Sequence, residues 1–423
     1  MADFKIQFEW EDSPRARAPE LDATWARLEI GIGSESATKV EATRSQSVRR
    51  GIYVPLYPVA EWMIANWWSL WDEWRRDGRE SGHCLLAARE GFALPDLRFW
   101  PTETTMQVTW QPLDSPSAGV SFLSGGNEVV AKPQVRQEFC RMIQSVLDRL
   151  ELRKVPGSHL AEEWAAIQSA EQDPEQRAFC ERAARLGCDP FAMDDQLAQQ
   201  LEQVGSLLPA GLLDDFCDSI QAAEITSASQ AVEDFLAKAR LERPVAGRWP
   251  ECAAELQKYA SSIPWQEGYQ QARALRAHLG LQTTSLVNLQ TLLQEQLGSL
   301  EIRPLAPFGG IDAVSAPSLT SAPVLGLRER PREDQTRFNI CRALANSLKS
   351  EQPSLVTRGR SEYQQRNRAF AAEFLAPAEF LRNRIKRTRL GEEDVEELAR
   401  EFQVSDLVVR HQIQNHQLAS LYV

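Results

Sequence analysis

The sequence predicts an α+β protein: a β-rich N-terminal part, a helical middle and a mixed C-terminal part that ends in helices. Three observations carry this. Phe4, Ile6, Phe8 and Trp10 alternate with polar residues, as do Leu28, Ile30 and Ile32, which is the period of a half-buried strand. Between 134 and 245 the apolar residues recur at helical spacing instead, beginning with Phe139, Met142, Ile143, Val146 and Leu150. Beyond 255, leucines at helical spacing give way to a Pro-, Gly- and Ser-rich stretch with short apolar pieces, Arg303–Leu325, and then to further helical segments. The expected domains are 1–133, 134–245 and 255–423, with PVAGRWP at Pro244–Pro250 as the linker into the last.

In the first domain, 106–110 (MQVTW), 119–123 (GVSFL) and 128–130 (EVV) continue the strand pattern, with turn signals at Asp114–Gly119 and Gly125–Asn127. GIGSES at Gly31–Ser36 follows a strand but lacks the later glycine and the lysine of a phosphate loop, so it reads as a hairpin turn. One helix interrupts the strands, Pro58–Arg75, and it holds Trp62, Trp67, Trp68, Trp71 and Trp74. On a continuous helix Trp67, Trp71 and Trp74 share one face. Trp67, Trp68 and Trp71 are candidates for anchoring a protein partner, because tryptophan is enriched at binding hot spots. The competing reading is a helix buried against the sheet, with Trp68, off the main stripe, left as the exposed one. In the middle part, Leu160, Trp164 and Ile167 begin a second helix, and two more break near Gly187 and Pro190.

At 423 residues, with 43% hydrophobic and 25% charged content, the composition is that of a globular protein of more than one domain. A net charge of -12 argues against nonspecific nucleic-acid binding by the whole chain, though not against a local basic patch. The seven cysteines are odd in number, scattered and free of CxxC pairs, which predicts free thiols in a reducing cytoplasm. There is no run of about 20 apolar residues to span a membrane and no signal-peptide pattern at the start. GxxxxGKS, GxxxxGKT, GxGxxG and GxSxG are all absent, and the adjacent His83–Cys84 pair does not make a thiol enzyme, since sequence neighbours rarely face each other productively.

The most telling stretches are 337–348, RFNICRALANSL, and 364–377, QQRNRAFAAEFLAP. Together they resemble the two core helices of the ImmA/IrrE family of zinc metallopeptidases, whose members read RFTLAHELGHLL and, after a short gap, ExxANxFAAELLMP. The segment 264–302 is similar to the family's GYxLAxxLRxxLGL and leucine-rich run, through Leu275, Leu279, Leu281, Leu286, Leu289, Leu292, Leu293 and Leu297. Residues 393–418 resemble its tail. The resemblance spans about 255–423 and implies a zincin-like domain with a helical tail.

A HExxH helix places two His one turn apart so that they share a zinc ion, with a Glu as the general base. In the register implied by the resemblance, the first His position holds Arg342, the base position Ala343, and the second His position Asn346. Leu344 and Ala345 fill the positions between, and the third ligand position holds Gln364. A guanidinium has no lone pair for a metal, Ala moves no proton, and Asn and Gln are weak neutral donors. Cys341 is turned away by about 100° on a helix, Glu362 points nearly opposite to Gln364, and all five His lie outside the two motif helices. No metal and no cofactor is therefore expected. Arg342 is expected either to stand in for the dication, bonding Gln364, Asn346 or a carboxylate, or to snorkel to solvent.

The expected function is that of a catalytically inactive regulatory or scaffolding protein. It would bind a protein partner encoded elsewhere, in the stress, mobile-element or antiphage settings that the resemblance implies for bacterial members. Phe370 and Arg342 mark the groove, whose strand edge would serve β-augmentation. Two alternatives stand beside it. One is an active metallopeptidase cleaving a repressor through a rearranged site. The other is a transcriptional regulator using the tail, read as a helix-turn-helix with Arg384, Lys386, Arg387, Arg389 and Arg410 on DNA; packing of the tail on the zincin core is favoured over it, because the acidic run Glu392–Glu397 would repel phosphates.

Overall fold

The alternating strands form as expected. β1 (Phe4–Trp10) pairs antiparallel with β2 (Trp25–Ile32), from Phe4↔Ile32 to Trp10↔Ala26, with the short α1 (Pro19–Ala23) between them. This is a computed structural model, and it describes residues 1–13, 18–71, 80–102, 104–155, 159–239, 247–261, 263–282, 286–293, 297, 300–317, 323–328, 332–359 and 361–422. After β2 come β3 (Glu35–Ser36), β4 (Val40–Ala42), β5 (Ser47–Arg49) and β6 (Ile52–Pro55), then α2 (Tyr57–Ala65) and α3 (Trp67–Leu70). The strands resume with β7 (Asp96–Pro101), β8 (Thr105–Gln111), β9 (Leu113–Ser115), β10 (Val120–Phe122) and β11 (Gly126–Ala131), and α4 (Lys132–Leu152), α5 (Leu160–Gln172) and α6 (Pro174–Leu186) follow. Three sheets result: β1-β2-β3 with β6 also on β2, β5-β4-β10-β9, and β11-β8-β7. Gly33, at φ +57, makes the hairpin turn into β3.

The chain divides into two compact units, Met1–Met193 and Asp194–Val423. The helices expected as a separate domain at 134–245 are thus shared between the units. α4 buries Val135, Phe139, Met142, Ile143, Val146 and Leu150 in one core with Phe4, Phe99 and Trp62 from the strands and α2. A stripe that wide needs a partner, and the neighbouring sheet supplies it.

The tryptophan helix differs from the expectation. It stops at Ala65, Asn66 turns, and α3 is a separate short segment. Counting 100° per residue across that break misplaces the faces. Trp67 is 0% and Trp68 7% exposed, so the expectation of an exposed Trp68 is wrong. Trp67 Nε1 donates to Glu171 Oε1 at 2.6 Å, its ring meets Trp164 edge-on at 4.8 Å, and the Arg136 guanidinium covers both Trp67 and the half-buried Trp71. These side chains build the core rather than a partner surface. Trp74 lies outside the described residues.

The second unit starts with α7 (Asp195–Leu207), α8 (Ala210–Ser219), α9 (Ile225–Ala239), α10 (Trp249–Gln257), α11 (Pro264–His278) and α12 (Leu289–Thr291). Residues 244–246 of the expected linker lie outside the described residues. Next come β12 (Glu301–Leu305), β13 (Ile311–Ala316), β14 (Val324–Arg328), α13 (Glu333–Lys349), β15 (Ser354–Thr357) and α14 (Glu362–Leu375). The chain closes with α15 (Ala378–Arg384), β16 (Arg389–Leu390), α16 (Glu392–Phe402), α17 (Asp406–Asn415) and β17 (Ser420–Leu421). The sheet order is β12-β14-β13-β15, with β12 parallel to β14 and the other pairs antiparallel. Among the described residues no helix is long and apolar enough to cross a membrane.

α11 lies close along α14. A Cβ on Gly268 would stand 2.2 Å from Arg366 O, so only glycine permits the approach. Buried Arg276 donates from Nη1 to Phe374 O at 2.8 Å and from Nη2 to Gln282 O at 2.6 Å, and burial pulls its pKa down to about 10. Glu373, also buried, accepts from Arg273 Nε at 2.8 Å and Gln412 Nε2 at 2.9 Å, and it caps α15 through Ala378 N at 3.2 Å. The glycine, the arginine and the glutamate of the family-like motifs are thus joints between helices.

Candidate functional site

α13 carries Glu333 and Asp334 in its first turn and Lys349 in its last, the charge order that suits a helix dipole. Its apolar and small residues, Ile340, Ala343, Leu344 and Leu348, enter the core of the unit. This orientation turns Arg342 toward α14 and β15. Its side chain is 4% exposed, so it does not snorkel. Nη2 donates to Gln364 Oε1 at 2.6 Å and to Thr357 O at 2.5 Å. The first and third ligand positions of the motif register therefore meet, joined by a hydrogen bond.

Gln364 is fully buried. Its Nε2 donates to Asp215 Oδ2 at 2.6 Å and to Leu355 O at 2.7 Å, while Oε1 also accepts from Thr357 N at 3.3 Å. Asp215, from α8, takes a further bond from the Tyr363 hydroxyl. The Gln364 amide thus stands between a cation and a carboxylate, and each bond polarises the other. It also occupies the outward N–H and C=O groups of β15, as a neighbouring strand would. The strand edge expected to serve β-augmentation is therefore closed at Leu355 and Thr357. At the second His position, Asn346 Oδ1 accepts from Arg366 Nη2 at 2.9 Å, and Arg366 in turn faces Glu267 at 3.7 Å.

Burial pulls the Arg342 pKa down to about 9, with Arg368 adding to the effect and Asp312 and Asp215 opposing it. The guanidinium stays charged at neutral pH. Burial pushes the neighbouring Cys341 thiol up to about 12, so it is an inert core residue. The zinc ion that the resemblance implies does not fit this donor set. A cation occupies the first ligand position, and the side-chain oxygens at the other two already accept N–H groups. Among the described residues no group of three or more His, Cys, Asp or Glu is placed to hold a metal ion.

Beside Arg342 opens a cleft of about 460 Å³. Its walls come from α11, α13, α14 and α17, with Asp312 from β13 and Arg358 after β15. Trp265, 45% exposed, and Leu407, 60% exposed, stand at its rim, and Phe338, Arg342 and Arg368 also line it. Phe370, taken from the motif as a groove marker, is instead 1% exposed and stacks on Phe374, so it presents nothing to a partner. Sequence reasoning did not find Trp265, Arg358, Arg368 or Leu407. The only signal for them is local: large or charged residues at the ends of family-like segments, whose convergence depends on the tertiary fold.

The tail forms the two expected helices, α16 and α17, joined through Gln403 in the left-handed region at φ +53. Three of the five basic residues named for DNA form ion pairs with α16. Arg384 pairs with Glu401 at 2.5 Å, Arg387 with Asp394 at 3.5 Å and Arg410 with Glu392 at 2.9 Å. Lys386 and Arg389 are exposed. α17, the helix that would read DNA, contributes Val408, His411 and Gln412 to the wall of the cleft.

α13 packs on α14 and on the small mixed sheet, and this part of the chain is similar to the ImmA/IrrE family. Residues 306–414 match the family model of the IrrE N-terminal-like domain. The match is shorter than the span of motif likeness: α11 precedes it, yet packs along α14. No curated protein matches the chain. No solved structure does either.

Proposed function

We propose that this chain is a non-catalytic, metallopeptidase-derived regulatory or scaffolding protein that binds a partner protein in the cleft between α11, α13, α14 and α17. The observation that carries this reading is the buried Arg342–Gln364 hydrogen bond at 2.6 Å, where the family pattern would put zinc ligands. A cleft with exposed Trp265 and Leu407 at its rim remains beside the closed site, and such anchors suit a protein segment. The partner is held by side chains, since Gln364 and Arg342 occupy the adjoining edge of β15. A bacterial stress, mobile-element or antiphage system is the setting in keeping with the family.

The test is co-purification of the full chain from its native host. A partner should be retained by the wild type, lost on Leu407→Asp or Trp265→Ala, and kept on a change at exposed Tyr53 in the other unit. Retention by both cleft variants would remove the reading. Chelator-sensitive cleavage of the partner would replace it with the peptidase alternative.

A further inference from the structure

We infer that the floor of the cleft is a carboxylate-recognition site, built for an acidic residue or the C-terminus of a peptide lying between Trp265 and Leu407. The inference rests on the cleft reading above and deepens it by naming the chemistry recognised.

Arg342 is the starting observation. It is more than nine-tenths buried and lines the cleft, yet its only hydrogen bonds run from Nη2 to neutral oxygens, those of Gln364 and Thr357. Its Nε is buried and has no partner. Among the described residues no carboxylate oxygen comes within 4.0 Å of the guanidinium. A buried cation is costly unless an anion completes its coordination. A fixed guanidinium with donors to spare favours a planar oxygen pair.

Two further cations line the same cleft. Arg368, already bonded to Gly359 O at 2.7 Å, lies near enough to depress the Arg342 pKa. Arg358 is exposed, and among the described residues it has neither a hydrogen bond nor an ion pair. On the acidic side, Asp334 is paired with Arg332 at 2.7 Å, and Asp312 in the wall and Asp215 behind Gln364 lie within electrostatic reach of Arg342. Three arginines against the two carboxylates in the wall, Asp312 and Asp334, leave room for a monoanion and disfavour a phosphate dianion. Gln412, fully buried with Oε1 unpartnered, adds an acceptor for a peptide N–H. The exposed rim side chains accommodate apolar neighbours of the acidic residue.

The experiment is calorimetric titration of the intact protein at low ionic strength. The probes are acetyl-Ala-Leu-Glu-Leu-Ala-amide, its Gln counterpart, the Gln peptide with a free C-terminal carboxylate, and a phosphoserine counterpart. One carboxylate form should bind roughly tenfold more tightly than the neutral peptide, and which one does so distinguishes a side chain from a chain terminus. Arg358→Gln, at an exposed position where folding is not at stake, should weaken that form roughly threefold or more, and added salt should weaken it too. Equal binding of neutral and acidic peptides, unmoved by Arg358→Gln, would overturn the carboxylate assignment while leaving the cleft as a protein-binding site. Tighter binding of the phosphoserine peptide, or no binding of any peptide, would overturn it as well. The cleft reading itself falls only if the co-purifying partner ignores Leu407→Asp and Trp265→Ala.

Discussion

At the scale of single residues, the positions of the motif register are held by hydrogen bonds between side chains. Gln364 satisfies Leu355 O, Thr357 N, Asp215 and Arg342 at once. Gln364→Leu removes all four bonds and takes one of its hydrogen bonds from the buried Asp215 carboxylate, so a loss of at least about 3 kcal/mol is expected in urea unfolding. A change under about 1 kcal/mol would contradict the network. His416 supplies a pH dependence. Burial lowers its pKa below the usual 6.5, against the opposing pull of Glu373. The folded protein then binds fewer protons here than the unfolded chain, so this contribution is full above pH 6.5 and is lost as pH falls through the folded value. His416→Gln should flatten the fall in melting temperature below that pH; an unchanged slope would mean that His416 is not the group responsible. The motif register brought Arg342 and Gln364 together correctly, because both sit in contiguous, recognisable runs. Asp215 was out of reach: it lies 149 residues from Gln364 in an acidic chain where no carboxylate stands out.

At the scale of elements, helices are brought together by residues that look unremarkable in the sequence. Gly268→Ala would drive a Cβ into the Arg366 carbonyl and the Phe370 backbone nitrogen, neither of which is a flexible side chain. A cost of about 1–3 kcal/mol or more is expected from chemical denaturation; a neutral effect would mean that α11 and α14 are not in contact there. Strand edges are treated alike in both units. Glu138 accepts from Ile6 N at 2.9 Å and Arg141 donates to Ile6 O, as Gln364 does for β15, which shields β1 from pairing with another chain. The strands of β1, β2, β8, β10 and β11 were legible from alternation, and α4 from its stripe. The tryptophan helix was not, because nothing local announced the break at Asn66. Its consequence is testable: Trp68→Ala should cost about 3–5 kcal/mol as a core truncation, where an exposed tryptophan would cost almost nothing.

At the scale of the whole molecule, the two units differ in what they resemble. The family likeness lies in Asp194–Val423, and within it the matched segment is 306–414. In the motif register of that segment, Arg342, Ala343, Asn346 and Gln364 stand at the ligand and base positions. Hydrophobic periodicity and motif order revealed this scaffold. The cleft beside it was invisible, because it is assembled from α11, α13, α14 and α17, segments far apart in the chain. The helix-turn-helix order of the tail was legible too, but its use was not: pairing of Arg384, Arg387 and Arg410 with α16 carboxylates depends on how the helices fold back. Most direct of all tests is elemental analysis of the full chain, purified without chelator from zinc-supplemented medium, with melting measured before and after a chelator. Zinc far below one equivalent per chain and an unmoved melting temperature are expected; a stoichiometric, tightly held zinc whose removal destabilises the protein would contradict the replacement of the metal by Arg342 and Gln364.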